Sequence, residues 1–301
     1  MKNAIRCCLL FVACAAFAAD DYPARPIQMI VPFPAGGPAD IVGRLYAQHL
    51  SALVGQPVVT LNRDGASGTI GTAAAARAAP DGYTLVFGTT STMVVNPLVM
   101  KQVPYDFWKD FALIALIANA PHILAVRDGL PAKSATELVA MAKMAAELFK
   151  HETGADLLVV PFKGGQPATL ALLSGEVDMI VNDLTALKSS LASGKLRALA
   201  VAHASRLKPL PDVPTFAELG MPGVVSSTWW GIGTPVRTPE AVQARLRAAT
   251  ARILVDPDYV GRLATMAVEP MVMTPEQTSA FVAGEVRKWK TVAAAAKIQV
   301  D

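Results

Sequence analysis

Residues 27–50 read IQMIVPFPAGGPADIVGRLYAQHL. An apolar run ends in a Pro/Gly-rich bend and passes into an amphipathic pattern, which predicts a strand, a tight loop and a helix. This unit constrains the chain most, because a strand that feeds straight into a helix implies a sheet covered by helices. The alternation continues downstream. Val58–Asn62 is a short β-branched strand, Asp64–Gly71 a second glycine-rich loop, and Thr72–Ala79 an alanine-rich helix stopped by Pro80. Asp81-Gly82 marks a turn before a strand at Tyr83–Gly88, and hydroxyl residues follow through Thr92. Leu113–Ala118 and His122–Val126 are further apolar runs. Ser134, with Glu137 three residues on, forms a capping box. It opens a helix expected to reach about Thr153, with Gly154 as its stop. Strands are expected at Leu157–Phe162, Val177–Val181 and Leu196–Ala202, with helices between them. Closing helices are expected at Thr238–Val255 and Thr274–Ala296. Strands alternating with helices through short connections predict an α/β fold with mainly parallel sheets flanked by helices.

The chain opens with MKNAIRCCLLFVACAAFAAD. Lys2 and Arg6 precede an uncharged apolar run from Cys7 to Phe17, and Ala16-Phe17-Ala18 is a small-x-small cleavage site. The pattern predicts a signal peptide over residues 1–19 and export of the rest. A rival reading makes Cys14 a lipidated residue, although Phe11-Val12-Ala13 before it matches the usual Leu-led motif poorly. All three cysteines, Cys7, Cys8 and Cys14, lie in this segment. The mature chain therefore has no disulfide, no thiolate nucleophile and no Cys-ligated metal. At roughly 280 residues it is long enough for a sizeable core and for two domains. The net charge of +3 and the lack of a basic run argue against nucleic acid as a partner. His49, His122, His151 and His203 are scattered without metal-ligand spacing, and each reads as a surface or satisfied structural histidine.

A glycine loop at the start of a helix is a candidate anion site, because free amides and the positive end of the helix dipole favour negative charge. The loop here is not GxGxxG and has no P-loop lysine. Export also separates the chain from ATP and NAD. A carboxylate is therefore the expected anion, facing the N–H groups of Gly36 and Gly37, and no cofactor is expected. In α/β sheets ligands bind beyond the carboxyl ends of the strands. Three loops fit that position: Pro34–Asp40, Asn62–Gly71 and Gly88–Ser91. Each is rich in backbone N–H or hydroxyl groups and poor in catalytic side chains. Gly65-Ala-Ser-Gly-Thr69 departs from G-x-S-x-G at Thr69, so Ser67 reads as a loop donor rather than a nucleophile. With Gly37 as N-cap and Pro38 at the first helical position, Asp40 stands at N3, where it can cap the helix. The Trp229–Trp230 pair is either core or a ligand wall.

Several motifs recur in a fixed order: Tyr22-Pro-Ala-Arg-Pro-Ile27, Val31-Pro-Phe-Pro-Ala-Gly-Gly-Pro-Ala-Asp40, Asn62-Arg63 and Ala79-Pro-Asp-Gly-Tyr-Thr-Leu85. They continue with Val160-Pro-Phe-Lys-Gly164, Gly175-Glu-Val-Asp178, Gly194-Lys-Leu-Arg-Ala-Leu-Ala-Val201 and Leu210-Pro-Asp-Val-Pro-Thr215. With these the chain resembles the substrate-binding proteins of tripartite tricarboxylate transporters, the Bug-type solute receptors, over nearly the whole mature sequence. The resemblance implies a monomeric periplasmic two-domain flytrap with no enzymatic activity. Domain one would comprise residues 20–119 and 226–301, and domain two residues 120–225. A small carboxylate or related compound would sit in the cleft and be delivered to the membrane subunits of the transporter. The residues implied for ligand binding are Pro34, Ala35, Gly36, Gly37, Asp40, Thr89, Ser91, Lys163 and Asn182.

The sequence departs from that pattern after Lys143, where AELFK already matches the family's second helix of domain two. About twenty residues of the pattern, including domain two's own anion-binding loop, are missing between Lys143 and Met144, and a sheet that loses a strand must re-pair or expose an edge. The two helices are expected to fuse, since Leu138, Met141, Ala142, Ala145, Leu148 and Phe149 keep one i, i+3, i+4 stripe. In addition, Asn182 stands where the family often has aspartate, with Asp183 next to it. The alternatives are a ligand-impaired remnant or signalling partner that keeps the fold, and a periplasmic α/β enzyme.

Overall fold

β1 (Ile27–Val31) is buried at four of its five positions, which requires cover on both faces. α1 (Pro38–Val54) supplies one cover through Val42, Leu45, Tyr46 and Leu50. Pro38 starts this helix with its φ already helical, and Gly55 ends it in a left-handed conformation with its N–H on Ser51 O. β2 (Val58–Asn62), α2 (Thr69–Ala76) and β3 (Thr84–Thr89) follow. Two single-turn helices, α3 (Asn96–Val99) and α4 (Phe107–Asp110), lead into β4 (Phe111–Arg127). Beyond it come α5 (Gly165–Ser174), β5 (Met179–Asp183), α6 (Leu184–Ala192) and β6 (Leu196–Val201). The chain then forms β7 (Ser227–Pro235), α7 (Glu240–Ile253), α8 (Pro257–Ala264), β8 (Glu269–Pro270) and α9 (Pro275–Ala295). This computed structural model describes residues 22–128, 160 and 165–295. The expected signal peptide, the helix expected from Ser134, the departure after Lys143, the strand expected around Val160 (that residue apart) and Lys163 lie outside the described residues. No helix among the described residues is long and apolar enough to cross a membrane.

The α/β class expected from the sequence holds, but the sheet is mixed rather than mainly parallel. Among the described residues, β1 pairs in parallel with β2 and β3, whereas β3–β7, β4–β7, β4–β5, β4–β6 and β4–β8 are antiparallel. The difference comes from β7, which enters between β3 and β4 and runs against both. Gly231 and Gly233 make this segment a weak strand in the sequence. In the fold they permit close approach: a Cβ at Gly231 would lie 3.0 Å from Ala115 O, and one at Gly233 would lie 3.1 Å from Val86 Cγ1.

The two apolar runs expected before and after Asn119 are one strand of 17 residues. At about 3.3 Å per residue it extends roughly 55 Å, enough to serve two sheets in succession. Its first part pairs with β7, from Phe111 opposite Pro235 to Pro121 opposite Ser227. Its second part pairs with β5 on one side, from His122 opposite Asp183, and with β6 on the other. Pro121, which has no N–H for a ladder, stands where the partners change.

Each sheet has apolar cover on both faces. On one side of the first sheet Met29, Phe87, Trp230 and Ile232 meet α1, α7 and α8; on the other Val86, Phe107 and Trp229 meet α9 through Trp289. Around β5 and β6, Ile123, Ile180 and Val201 pack on Leu172 and Leu187, while Leu124, Val126 and Phe216 form the opposite layer. One buried carboxylate ties α9 to β7. Glu285 accepts the indole N–H of Trp229 at 2.9 Å and of Trp289 at 3.1 Å, and pairs with Lys288. Glu285→Ala strands two indole donors and leaves Lys288 without its carboxylate. We expect a loss of about 2–4 kcal/mol in urea unfolding, since each buried orphan donor costs about 1–3 kcal/mol. An unchanged unfolding midpoint would show that the pair contributes nothing.

Candidate functional site

The loop between β1 and α1 is shaped by the aspartate that follows it. Gly36 has φ +78°, a left-handed conformation that glycine adopts readily. Its N–H donates to Asp40 Oδ2 at 2.9 Å. Arg44 Nε donates to the same oxygen at 2.9 Å, and Asn62 Nδ2 donates to Asp40 Oδ1 at 2.9 Å. Asn62 Nδ2 also reaches Phe33 O at 3.0 Å, and Arg44 Nη2 donates to Asn62 Oδ1 at 2.9 Å. Asp40 is only 4% exposed. Desolvation raises its pKa, but hydrogen bonds from Arg44, the Gly36 N–H and Asn62 outweigh this and hold the carboxyl below the ordinary aspartate range. Asp40 thus fastens the loop from behind and is not among the residues that line the cavity in front of it.

This arrangement corrects one expectation about the amides. The Gly36 N–H is engaged by Asp40, and the Gly37 N–H points to Pro34 O at 3.4 Å. The donors left over at α1 are those of its first turn past Pro38, because the N-cap Gly37 has no capping side chain. Ala39 belongs to that turn and lines the cavity.

The cavity has a volume of about 390 Å³, within the usual range for small-ligand sites. One wall is the run Phe33–Ala39 with Thr89, Ser91, Thr228 and Trp230. The facing wall is Gly165, Gln166 and Pro167 at the start of α5, with Asn182 and Asp183 at the end of β5. The first turns of α1 and α5 therefore open on one space, and the positive ends of both helix dipoles come with them. α6 begins at the same place but is already capped: Asp183, 5% exposed, accepts the Ala186 N–H at 3.0 Å. Desolvation raises the Asp183 pKa against the backbone and Thr185 hydrogen bonds that lower it. Asn182 Nδ2 donates to Gly165 O at 3.2 Å, and a Cβ at Gly165 would lie 2.7 Å from Asn182 Nδ2, so glycine there permits the join of β5 to α5.

Of the residues expected to bind ligand, Pro34, Ala35, Gly36, Gly37, Thr89, Ser91 and Asn182 come together around this cavity. The second glycine loop does not join them. Residues 62–71 pack beneath the first loop, where a Cβ at Gly71 would lie 2.4 Å from Arg63 O and one at Gly68 would lie 3.2 Å from Pro32 O. Ser67, at φ 55°, gives its carbonyl to Asn96 Nδ2 at 2.9 Å. Both tryptophans are buried, yet Trp230 is core and cavity wall at once. Sequence reasoning missed Phe33, Gln166, Pro167 and Thr228. Thr228 stands two residues before Trp230, and period-2 alternation along β7 is the signal that would have found it.

Asp40→Ala leaves the Gly36 N–H without its acceptor and removes one of the two acceptors of the Asn62 amide. We expect a loss of about 1–3 kcal/mol in chemical unfolding. The sign of the pH effect is fixed, since a carboxyl with a depressed folded pKa stabilises above the unfolded value of about 4. The wild type should therefore lose this contribution as pH falls through the lower folded value, and Asp40→Ala should show a shallower acid limb. Identical acid limbs would contradict this account of the loop.

Residues 42–298 match the family described as tripartite tricarboxylate transporter family receptor. Protein BugT of Bordetella pertussis is 36% identical over 306 residues, a match that covers 94% of each chain. Among solved structures, R. palustris Rpa4515 with adipate is similar at 34% identity and a TM-score of 0.86, covering 93% of this chain and 99% of that one. MatC (Rpa3494) from Rhodopseudomonas palustris with bound malate is similar at 32% identity and a TM-score of 0.80, covering 90% of this chain and 99% of that one.

Proposed function

This chain belongs to the tripartite tricarboxylate transporter receptor family, and we propose that it is a periplasmic receptor that captures a small carboxylate and presents it to the membrane subunits of such a transporter. The observation that carries the reading is the uncapped first turn of α1 opening on a cavity of about 390 Å³ with the start of α5 opposite. Amides held in place by the fold favour an anion without a charged side chain having to reach it. The adipate and malate bound to two structural relatives support a carboxylate as that anion. The described walls offer amides, hydroxyls, the carboxamides of Gln166 and Asn182 and one carboxylate engaged as a helix cap, a set suited to binding.

Under this reading the receptor is a monomer with two lobes, residues 20–119 with 226–301 and residues 120–225. The chain crosses between them at Pro121–His122 and returns at Ser226–Ser227, where β4 exchanges β7 for β5 and β6. Closure of one lobe on the other would trap the ligand and mark the receptor as loaded. The signal-peptide pattern at the N-terminus supports export. The match to BugT spans 306 positions, more than the 301 residues of this chain, so BugT carries residues that this chain lacks. We place this shortfall after Lys143, in the second lobe, and expect from it a weaker grip on the ligand than in longer relatives.

Gly37 gives a clean test of the site. Its φ is −78°, and a Cβ there would meet only Pro34 O at 3.4 Å, an ordinary contact. Gly37→Val should fold with stability within about 0.5 kcal/mol of wild type, as an unstrained change near the surface does. The added side chain should obstruct the approach of a ligand to the α1 turn. Calorimetry against adipate, malate and related acids should show binding by wild type and at least a tenfold loss in Gly37→Val. Equal affinity in a well-folded variant would mean that the ligand lies elsewhere.

A further inference from the structure

β7 sends alternate side chains to opposite faces. Trp229 turns its indole to Glu285 on α9, while Thr228 and Trp230 on either side of it line the cavity. Beside Thr228 stands His122, at the point where β4 changes partners. The imidazole bridges two hydroxyls: Nδ1 is 2.7 Å from Ser226 Oγ, and Nε2 is 3.0 Å from Thr228 Oγ1. Backbone bonds hold the same place. The His122 N–H donates to Ser226 O at 3.0 Å, the Ala202 N–H donates to His122 O at 2.9 Å, and the Ser226 N–H donates to Ala202 O at 3.0 Å. The ring therefore has little freedom to leave either hydroxyl.

Counting protons along this chain of three groups fixes its polarity. A neutral imidazole has one N–H and one bare nitrogen. Ser226 is 1% exposed, and among the described residues His122 Nδ1 is the sole partner of its hydroxyl. A buried O–H without an acceptor is unfavourable, so the Ser226 proton goes to Nδ1. The ring proton then sits on Nε2 and donates to Thr228 Oγ1. Thr228 accepts from the ring, and its own hydrogen is left to point elsewhere. Thr228 lines the cavity, which offers that hydrogen open space. The opposite tautomer would draw the Thr228 hydrogen into the ring and leave lone pairs facing the ligand, which repel a carboxylate.

We propose that Thr228 donates a hydrogen bond to the bound carboxylate, and that His122 is the positioning residue that keeps this hydroxyl a donor, with Ser226 setting the tautomer. The proposal rests on the carboxylate-receptor reading above. Desolvation, reinforced by the nearby Lys288 ammonium, pushes the His122 pKa down to about 4, so the ring stays neutral at ordinary pH and the proton order holds. The arrangement also sets selectivity. A hydroxyl whose proton is always free at this point donates to a carboxylate oxygen, and so favours a carboxylate over a group that offers only N–H donors.

The first experiment needs no ligand. Long-range proton–nitrogen correlations on histidine-labelled protein at pH 7 should show His122 neutral with its proton on Nε2. Ser226→Ala should release the ring from that single tautomer. A wild-type ring protonated on Nδ1 overturns the proposal. The second experiment is calorimetry with adipate, malate and related acids. For an acid that wild type binds, Thr228→Val, which keeps the β-branched shape, should weaken affinity about tenfold to a hundredfold. Thr228→Ser should restore most of it, and His122→Leu should add little to Thr228→Val, since both break the same chain. Wild-type affinity in Thr228→Val overturns this proposal alone. If wild type binds none of the acids, the receptor reading fails and the proposal fails with it.

Discussion

The ladder of β4 is the constraint on which the rest of the molecule depends. One strand of 17 residues gives its first part to β7 and β8 and its last part to β5 and β6. The hydrogen-bond demand of a buried strand is absolute, so both sheets must be assembled around it. Their mutual position is then set at the changeover, where Pro121 lacks an N–H and His122 begins the second set of pairs. The start of α1 on one side and the starts of α5 and α6 on the other face the same gap as a result. The cavity between the two covered sheets is a consequence of this one strand.

The electrostatics of that space come from the backbone more than from charged side chains. Among the described lining residues the one ionisable group is Asp183, and its carboxylate caps α6. Asp40 has a comparable role on the opposite wall, behind the loop, where it is held by Gly36, Arg44 and Asn62. Both acids are buried and both are engaged in local geometry, one with its carboxyl pKa lowered and the other with it raised. The difference follows from the partners: Arg44 offsets the desolvation of Asp40, and Asp183 has only neutral donors. What remains to meet an anion is the first turn of α1 and a set of hydroxyls, a weak but fixed field.

Much of the first sheet and its helices was legible because the signals are local. The apolar run, the Pro/Gly bend and the stripe on α1 sit next to one another in sequence, and so do the turn at Asp81-Gly82 and the strand after it. The loop around Gly36 was legible as a candidate for the same reason, and it lines the cavity. The engagement of its amides was not, because Asp40 and Asn62 can be read as cap and strand end without knowing that they meet. The second glycine loop misled because glycine has two uses. There it permits Pro32 and Arg63 to pack against the chain, not a ligand. β7 was illegible for a related reason: Gly231 and Gly233 weaken the strand locally, and only the neighbours Ala115 and Val86 explain them. The place of His122 between two hydroxyls more than a hundred residues away is one that no spacing rule reveals.

The central claim is that a carboxylate binds where the first turn of α1 faces α5 across the gap set by β4. A crystal structure of the protein grown with the tightest-binding acid from a panel that includes adipate and malate tests this directly. The account predicts the carboxylate in this cavity, with an oxygen within hydrogen-bond reach of the Ala39 amide and the Thr228 hydroxyl. A ligand bound outside the cavity, or one whose carboxylate turns away from α1 towards the Asp183 wall, would contradict it.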